Sequence, residues 1–355
     1  MQPPAAALSA SQAFPDLAAI GSLAESLAPI SAASLHEPFP NPLLSAPAAD
    51  PWILRHDGVW YSLQAVGRRL ELRASPRLHD LGRCEPEIIW HAPPRGGCSR
   101  NLWAPELHRL DGRWFVYFAA DDGRNENHRM WVLEGETPYG PWRNRGKLDT
   151  GGWAIDGSVL EEGGCRYFVW SGWPGRRNGQ QNLYIARMLD PWTLAEPRVL
   201  LTEPREPWER VALPLCEGPQ WLRRNGKTFL IYSASGSWTP DYCLGMLVND
   251  DGDLLNPHSW VKHGPVFQKT ERIWGVGHCC FAHDPVAGDL LFYHAKTTQT
   301  HGWDDRNVRV QPFGWSPEGL PDFGTPVDLH SLPATAPLPP SPAATRLTPP
   351  LTPPL

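Results

Sequence analysis

The chain has 355 residues, with 32 Lys and Arg against 38 Asp and Glu and a formal net charge of −6. The basic residues form no cluster, which excludes the concentrated positive charge that nucleic acid requires. No stretch approaches the roughly 20 apolar residues needed to cross a bilayer, so neither nucleic acid nor membrane is expected as a partner. The length exceeds a single sandwich, and 18 Trp, 32 Gly and 40 Pro suit an all-β chain dense in turns.

Residues 1–48 are rich in Ala, Ser, Pro and Leu without hydrophobic periodicity, and read as a poorly ordered segment with a short amphipathic helix around Leu17–Leu27. No Lys or Arg precedes Arg55. A secretory leader is therefore not evident, and the cytoplasm is preferred over secretion.

From residue 49 a pattern repeats. A turn signal followed by an apolar, aromatic run recurs at 57–63 (Asp-Gly-Val-Trp-Tyr-Ser-Leu), 111–118, 163–171, 225–233 and 287–294. In each the glycine permits the positive φ of a tight hairpin, and the β-branched and aromatic residues suit a pleated sheet. A short strand precedes each hairpin, beginning at Asp50, Glu106, Asp156, Glu217 or His278, and a third strand follows. The repeat of roughly 50–60 residues is near that of propeller blades. The spacing thus predicts an all-β fold, a five-bladed β-propeller over 49–330 with four-stranded antiparallel blades around a central channel. Residues 331–355 form a Pro-rich tail whose composition cannot bury a core.

Of the four repeats that open on a carboxylate, three do so at Asp50, Asp156 and Glu217. In a closed ring these acids meet at the channel and suggest bond cleavage by acid and base. Any one alone would be an ordinary turn former; their common position argues otherwise. Glu85, Glu87, Glu106, Asp121 and Asp122 are rival carboxylates. The seven cysteines show no metal-site spacing, and Cys279 and Cys280 would point to opposite faces of one strand, so buried free thiols are expected rather than a zinc site.

The motifs Asp-Pro-Trp (50–52), Trp-Ala-Pro-Glu-Leu (103–107), Ile-Asp-Gly-Ser-Val (155–159) and Glu-Gly-Pro (217–219), taken in this order, resemble the glycoside hydrolases of family 43. Gly-His-Cys-Cys-Phe (277–281), Tyr-His-Ala (293–295) and Arg-Asn-Val-Arg-Val-Gln-Pro (306–312) extend the likeness through the fifth blade. The resemblance implies an inverting glycosidase with Asp50 as general base, Glu217 as general acid and Asp156 tuning and orienting that acid. It also implies that Arg306 reaches sugar hydroxyls, with Arg309 as its competitor, and that Trp103 offers an aromatic face to a pentose. A histidine at the position of His278 commonly binds calcium or a similar ion in the family's channel, directly or through water; a hydrogen-bonded core histidine is the alternative. The chemistry itself needs no cofactor.

The pattern looks most like the branch that removes terminal α-L-arabinofuranosyl units from arabinan or arabino-oligosaccharides, with segments 84–101 and 172–181 closing one end of the pocket. A β-xylosidase or endo-arabinanase on the same scaffold, and a non-catalytic carbohydrate-binding propeller, remain alternatives. The Asn-Asp-Pro-Asn opening of five-bladed fructan hydrolases is missing. A monomer is expected.

Overall fold

The computed structural model describes residues 38–329. The expected helix at 17–27 and the Pro-rich tail lie outside the described residues.

Each hairpin motif folds as predicted. The first blade comprises β1 (Trp52–His56), β2 (Val59–Val66), β3 (Arg69–Ser75) and β4 (Glu87–His91); the second β5 (Arg100–Leu110), β6 (Arg113–Asp121), β7 (Arg129–Gly135) and β8 (Arg143–Lys147). The third comprises β9 (Ala154–Glu162), β10 (Cys165–Gly172), β11 (Asn182–Asp190), β12 (Thr193–Leu194) and β13 (Val199–Thr202), both of the last two pairing with β11. The fourth holds β14 (Cys216–Arg224), β15 (Lys227–Ala234), β16 (Cys243–Asn249) and β17 (Trp260–Phe267); the fifth β18 (Trp274–Asp284), β19 (Gly288–Lys296) and β20 (Arg306–Pro312). All pairings within the blades are antiparallel meanders, so the chain is a five-bladed β-propeller.

The fifth blade has three strands of its own, and its outer edge is completed from the other end of the domain. Leu44 bridges Val308 antiparallel, with Leu43 N–H donating to Val308 O at 2.8 Å and Val308 N–H to Leu44 O at 3.0 Å. Asn41 adds two bonds of 2.9 Å to the backbone of Val310. Residues 39–48, read from sequence as part of the loose N-terminal segment, therefore belong to the propeller. The physical reason is long range: Leu43 and Leu44 have nowhere to bury until β20 lies beside them, and there both become core residues.

Five apolar clusters hold the ring, one in each gap between neighbouring blades. The one that matters for closure joins Ile53, Trp60 and Leu78 of the first blade to Cys280, Phe292 and Val310 of the fifth. Burying large side chains of this kind contributes about 1.5–3 kcal/mol each, so closure is itself a strong apolar interface. Cys279 and Cys280 fall in different clusters, on opposite faces of β18, and every cysteine is a free thiol.

Candidate active site

Strand direction decides which loops surround the carboxylates. Asp50, Asp156 and Glu217 stand at the start of each blade's inner strand, so the connections from second to third strand and from one blade to the next lie on that same face. At the first blade the second-to-third connection is a two-residue turn at Gly67; at the others it spans 122–128, 173–181, 235–242 and 297–305. The rim is thus low at one blade and high at the other four.

The inner strands share a backbone device. Asp50, Ala104, Asp156 and Gly218 each stand eight residues before the hairpin glycines Gly58, Gly112, Gly164 and Gly226, and all four have left-handed φ of 50°, 41°, 55° and 53°. His278 adopts φ 44° in the fifth blade. This corrects the register read from sequence: Asp50, Asp156 and His278 occupy it, Glu217 precedes it by one residue, and Ala104 takes the place given to Glu106. The register shifts next to these residues in β5, β14 and β18 are the bulges that kink the strands.

Asp50 and Asp156 flank His278. Its Nδ1 lies 3.4 Å from Asp50 Oδ1 and 3.9 Å from Asp156 Oδ2. Gly218 N–H donates to Asp156 Oδ2 at 3.0 Å, tying the residue after Glu217 to the third blade. A side chain at 218 is disfavoured, because a Cβ there would lie 3.2 Å from both His278 Nδ1 and Ser233 Oγ, on a backbone that already disfavours one.

The environments of the acids differ. Asp50 keeps 26% of its side chain exposed. Burial raises its pKa, but His278, Arg306 and His294 outweigh burial and hold the carboxyl well below the usual carboxylate range. Arg306 Nη1 is 3.4 Å from Asp50 Oδ1, and Asp50 N–H donates to His294 Nδ1 at 3.3 Å. Glu217 is nearly fully buried and is pushed up to about 7, by burial first and by the charge of Asp50, against the hydrogen bond from Tyr242 and the charge of Arg306. Burial and the neighbouring Glu217 and Asp50 raise Asp156 too, opposed by His278 and the Gly218 amide. Both carboxyls are thereby pushed up to about 7, so the pair holds a proton near neutral pH.

Tyr242 and His294 had no role assigned from sequence. Tyr242 Oη donates to Glu217 Oε1 at 2.9 Å, and its ring stacks on His294 at 5.4 Å and 9°. One stacked pair thus touches Glu217 and Asp50 at once. Burial holds His294 at about 4, so it is neutral near pH 7. His294 carried a signal in Tyr-His-Ala; Tyr242, in a loop before β16, carried none.

The remaining predicted residues sort clearly. Trp103 is 39% exposed on the carboxylate face, with one side stacked on His128 at 3.9 Å. His128 is itself fixed between Asp121, at 3.0 Å, and the Asn101 carbonyl, at 3.1 Å. Arg309 is buried in the fifth blade, bonded to Asn307 and the Val327 carbonyl, and does not reach the carboxylates. Glu106 binds His108 at 2.8 Å and meets Gln220 of the opposite fourth blade across the channel. Glu85, Glu87 and Asp122 are exposed. Glu87–His91 forms the outer strand of the first blade, so segment 84–101 supplies the rim only through the connection after it.

A calcium ion prefers six to eight oxygens. Among the described residues no three His, Cys, Asp or Glu side chains converge to hold an ion, and His278 presents one ring nitrogen to two carboxylates instead. This donor set does not make a protein cage for the channel ion, and no chemistry is assigned to one.

Comparison with known proteins places this geometry. The profile of the glycosyl hydrolases family 43 matches residues 39–321. An extracellular exo-α-(1->5)-L-arabinofuranosidase of Streptomyces chartreusis is 38% identical over 274 residues, 73% of this chain and 83% of that protein. α-L-Arabinofuranosidase 43 of Humicola insolens is 36% identical over 79% of this chain, which spans 62% of the length of that relative. The crystal structure of an α-L-arabinofuranosidase from Lactobacillus brevis superposes with a TM-score of 0.78 at 36% identity, covering 83% of this chain and 98% of that one.

Proposed function

The chain belongs to glycosyl hydrolase family 43, and we propose that it releases terminal α-L-arabinofuranosyl units from 1,5-linked arabinan or its oligosaccharides with inversion at the anomeric carbon. The observation that carries this reading is the split within one pocket, where Asp50 is held ionised and Glu217 holds its proton near neutral pH. Direct displacement by water needs one carboxyl group in each state, on opposite sides of the sugar and roughly 6.5–9.5 Å apart to admit the water.

In this mechanism Asp50 takes a proton from water as its oxygen bonds to the anomeric carbon. The glycosidic bond breaks, and Glu217 gives its proton to the departing oxygen. His278, Arg306 and the His294 contact fix the orientation of Asp50. Asp156 acts on Glu217 through the Gly218 amide, which holds the backbone beside the acid. Trp103, braced by His128, offers its exposed face to a pentose ring. The high rim at four blades favours a pocket over an open groove, and the names of the Streptomyces and Humicola relatives favour arabinofuranose over xylose.

The test is incubation with α-1,5-arabinotriose, following products by NMR. Arabinose monomer appearing first as the β-anomer supports the reading. First release of the α-anomer rejects inversion, internal cleavage rejects exo action, and turnover of xylobiose in place of arabinotriose rejects the substrate.

A further inference from the structure

Only two tryptophans among the described residues are exposed, Trp103 at 39% and Trp303 at 52%. Both lie on the carboxylate face, and in a ring of five the second blade, which carries Trp103, stands opposite the junction of the fourth and fifth. Trp303 sits at that junction in the 297–305 connection.

The loop holding Trp303 is fixed from beneath. Lys296 is completely buried, and its ammonium donates to the Gly302 carbonyl at 2.6 Å and to Asp305. Asp305 also receives the amide and hydroxyl of Thr298. The neighbouring blade joins in: Gly302 N–H donates to Trp238 O at 2.8 Å, the Trp303 indole N–H donates to Ser237 Oγ at 3.2 Å, and the two indoles meet edge to face at 5.8 Å. A buried ammonium is costly to desolvate, yet here it orders a loop whose largest apolar side chain stays in solvent. The same loop runs directly into the pocket, since Arg306 Nε donates to Trp303 O and Arg306 Nη1 reaches Asp50.

We propose that Trp303, braced by Trp238, is the binding platform for the sugar on the leaving-group side of the scissile bond, and so selects oligosaccharides over simple glycosides. The direction follows from the acid. Glu217 belongs to the fourth blade and must protonate the departing oxygen, so the departing chain leaves past the rim of that blade, where Trp238 and Trp303 stand. The C–H face of a furanose can lie against the electron-rich face of an indole held in place beforehand. The inference rests on the reading of Glu217 as the acid.

The test compares Trp303→Ala and Trp303→Tyr with the wild type on α-1,5-arabinotriose and on methyl α-L-arabinofuranoside, which has no sugar on that side. Trp303→Ala is expected to lower kcat/KM for the triose about tenfold, mostly through KM, and to leave the methyl glycoside within about twofold. Trp303→Tyr is expected to recover most of the loss, which a merely misfolded rim would not. Equal losses on both substrates, or no loss on the triose, overturn the platform. If the wild type cleaves neither substrate, the proposed function fails, and calorimetric titration with the triose still decides: about tenfold weaker binding to Trp303→Ala upholds the platform, while unchanged or undetectable binding to wild type and variant alike overturns it.

Discussion

Removing one phenolic hydroxyl should move the pH dependence upward. Tyr242 is fully buried and donates its 2.9 Å bond to Glu217 Oε1, a bond that favours the ionised acid and so lowers its pKa. A hydrogen bond to a charged group contributes about 1.5–3 kcal/mol, against about 1 kcal/mol for the same bond to the neutral acid. The difference of roughly 1–2 kcal/mol corresponds to about one pKa unit. In Tyr242→Phe the acid titrating at about 7 should therefore titrate near 8. Since turnover needs Glu217 protonated, activity lost by the wild type as pH rises through about 7 should persist to higher pH in the variant. The assay is kcat/KM for arabinotriose between about pH 5 and 9, which reports groups of the free enzyme. A limb that stays in place, or moves downward, would refute both the hydrogen bond's role and the choice of Glu217 as the acid.

Replacing the acids themselves should separate their parts. Asp50→Asn is expected to lose about 10²–10⁴ in turnover on every substrate, whereas Glu217→Gln loses as much on arabino-oligosaccharides but little on dinitrophenyl glycosides, whose departure needs no proton; parallel assays giving the two variants the same profile would exchange or cancel the roles. Glu217 should also tax stability. Its folded-state pKa lies above the ordinary 4.5, so the stabilisation of the folded state is complete below about 4.5 and is lost as pH rises through about 7. An amide cannot ionise, and thermal unfolding should find Glu217→Gln gaining more over the wild type at pH 8 than at pH 5; an equal shift at both would argue against the raised acid.

The hairpins and the ring were legible because each rests on local chemistry: a glycine for the turn, then alternating aromatic and β-branched residues for the strand. Asp50 and Asp156 were legible for a related reason, as their distance from the hairpin glycine is constant. Glu106 was misplaced because a bulged strand holds an extra residue that counting from a motif does not detect; the backbone, not the acid, defines the register, and Ala104 carries it. The docking of residues 39–48 and the Tyr242–His294 stack were hidden for another reason. Their partners lie some hundreds or tens of residues away along the chain, and neither Asn41 nor Tyr242 has a local pattern that names its partner.

Ala104 also offers a way to ask what the left-handed kinks cost. At φ 41° an L-residue is strained by roughly 1–2 kcal/mol relative to ordinary backbone, and Asp50, Asp156 and His278 bear the same penalty because their side chains are needed in the pocket. Ala104 has no such excuse: its methyl group is buried but takes no part in the polar network of the site. Glycine would relieve the strain, but it makes the unfolded chain freer by about 0.4–1 kcal/mol and forfeits about 0.8 kcal/mol of methyl burial, so Ala104→Gly should leave stability within about 0.5 kcal/mol of the wild type in denaturant unfolding, with activity nearly unchanged because Trp103 remains stacked on His128. A clear loss of stability would mean that the kink is not strained and that some other interaction selects it. Unchanged stability with activity intact would leave the acids as the reason the neighbouring kinks are kept, since there the same relief would remove the side chain on which the chemistry depends.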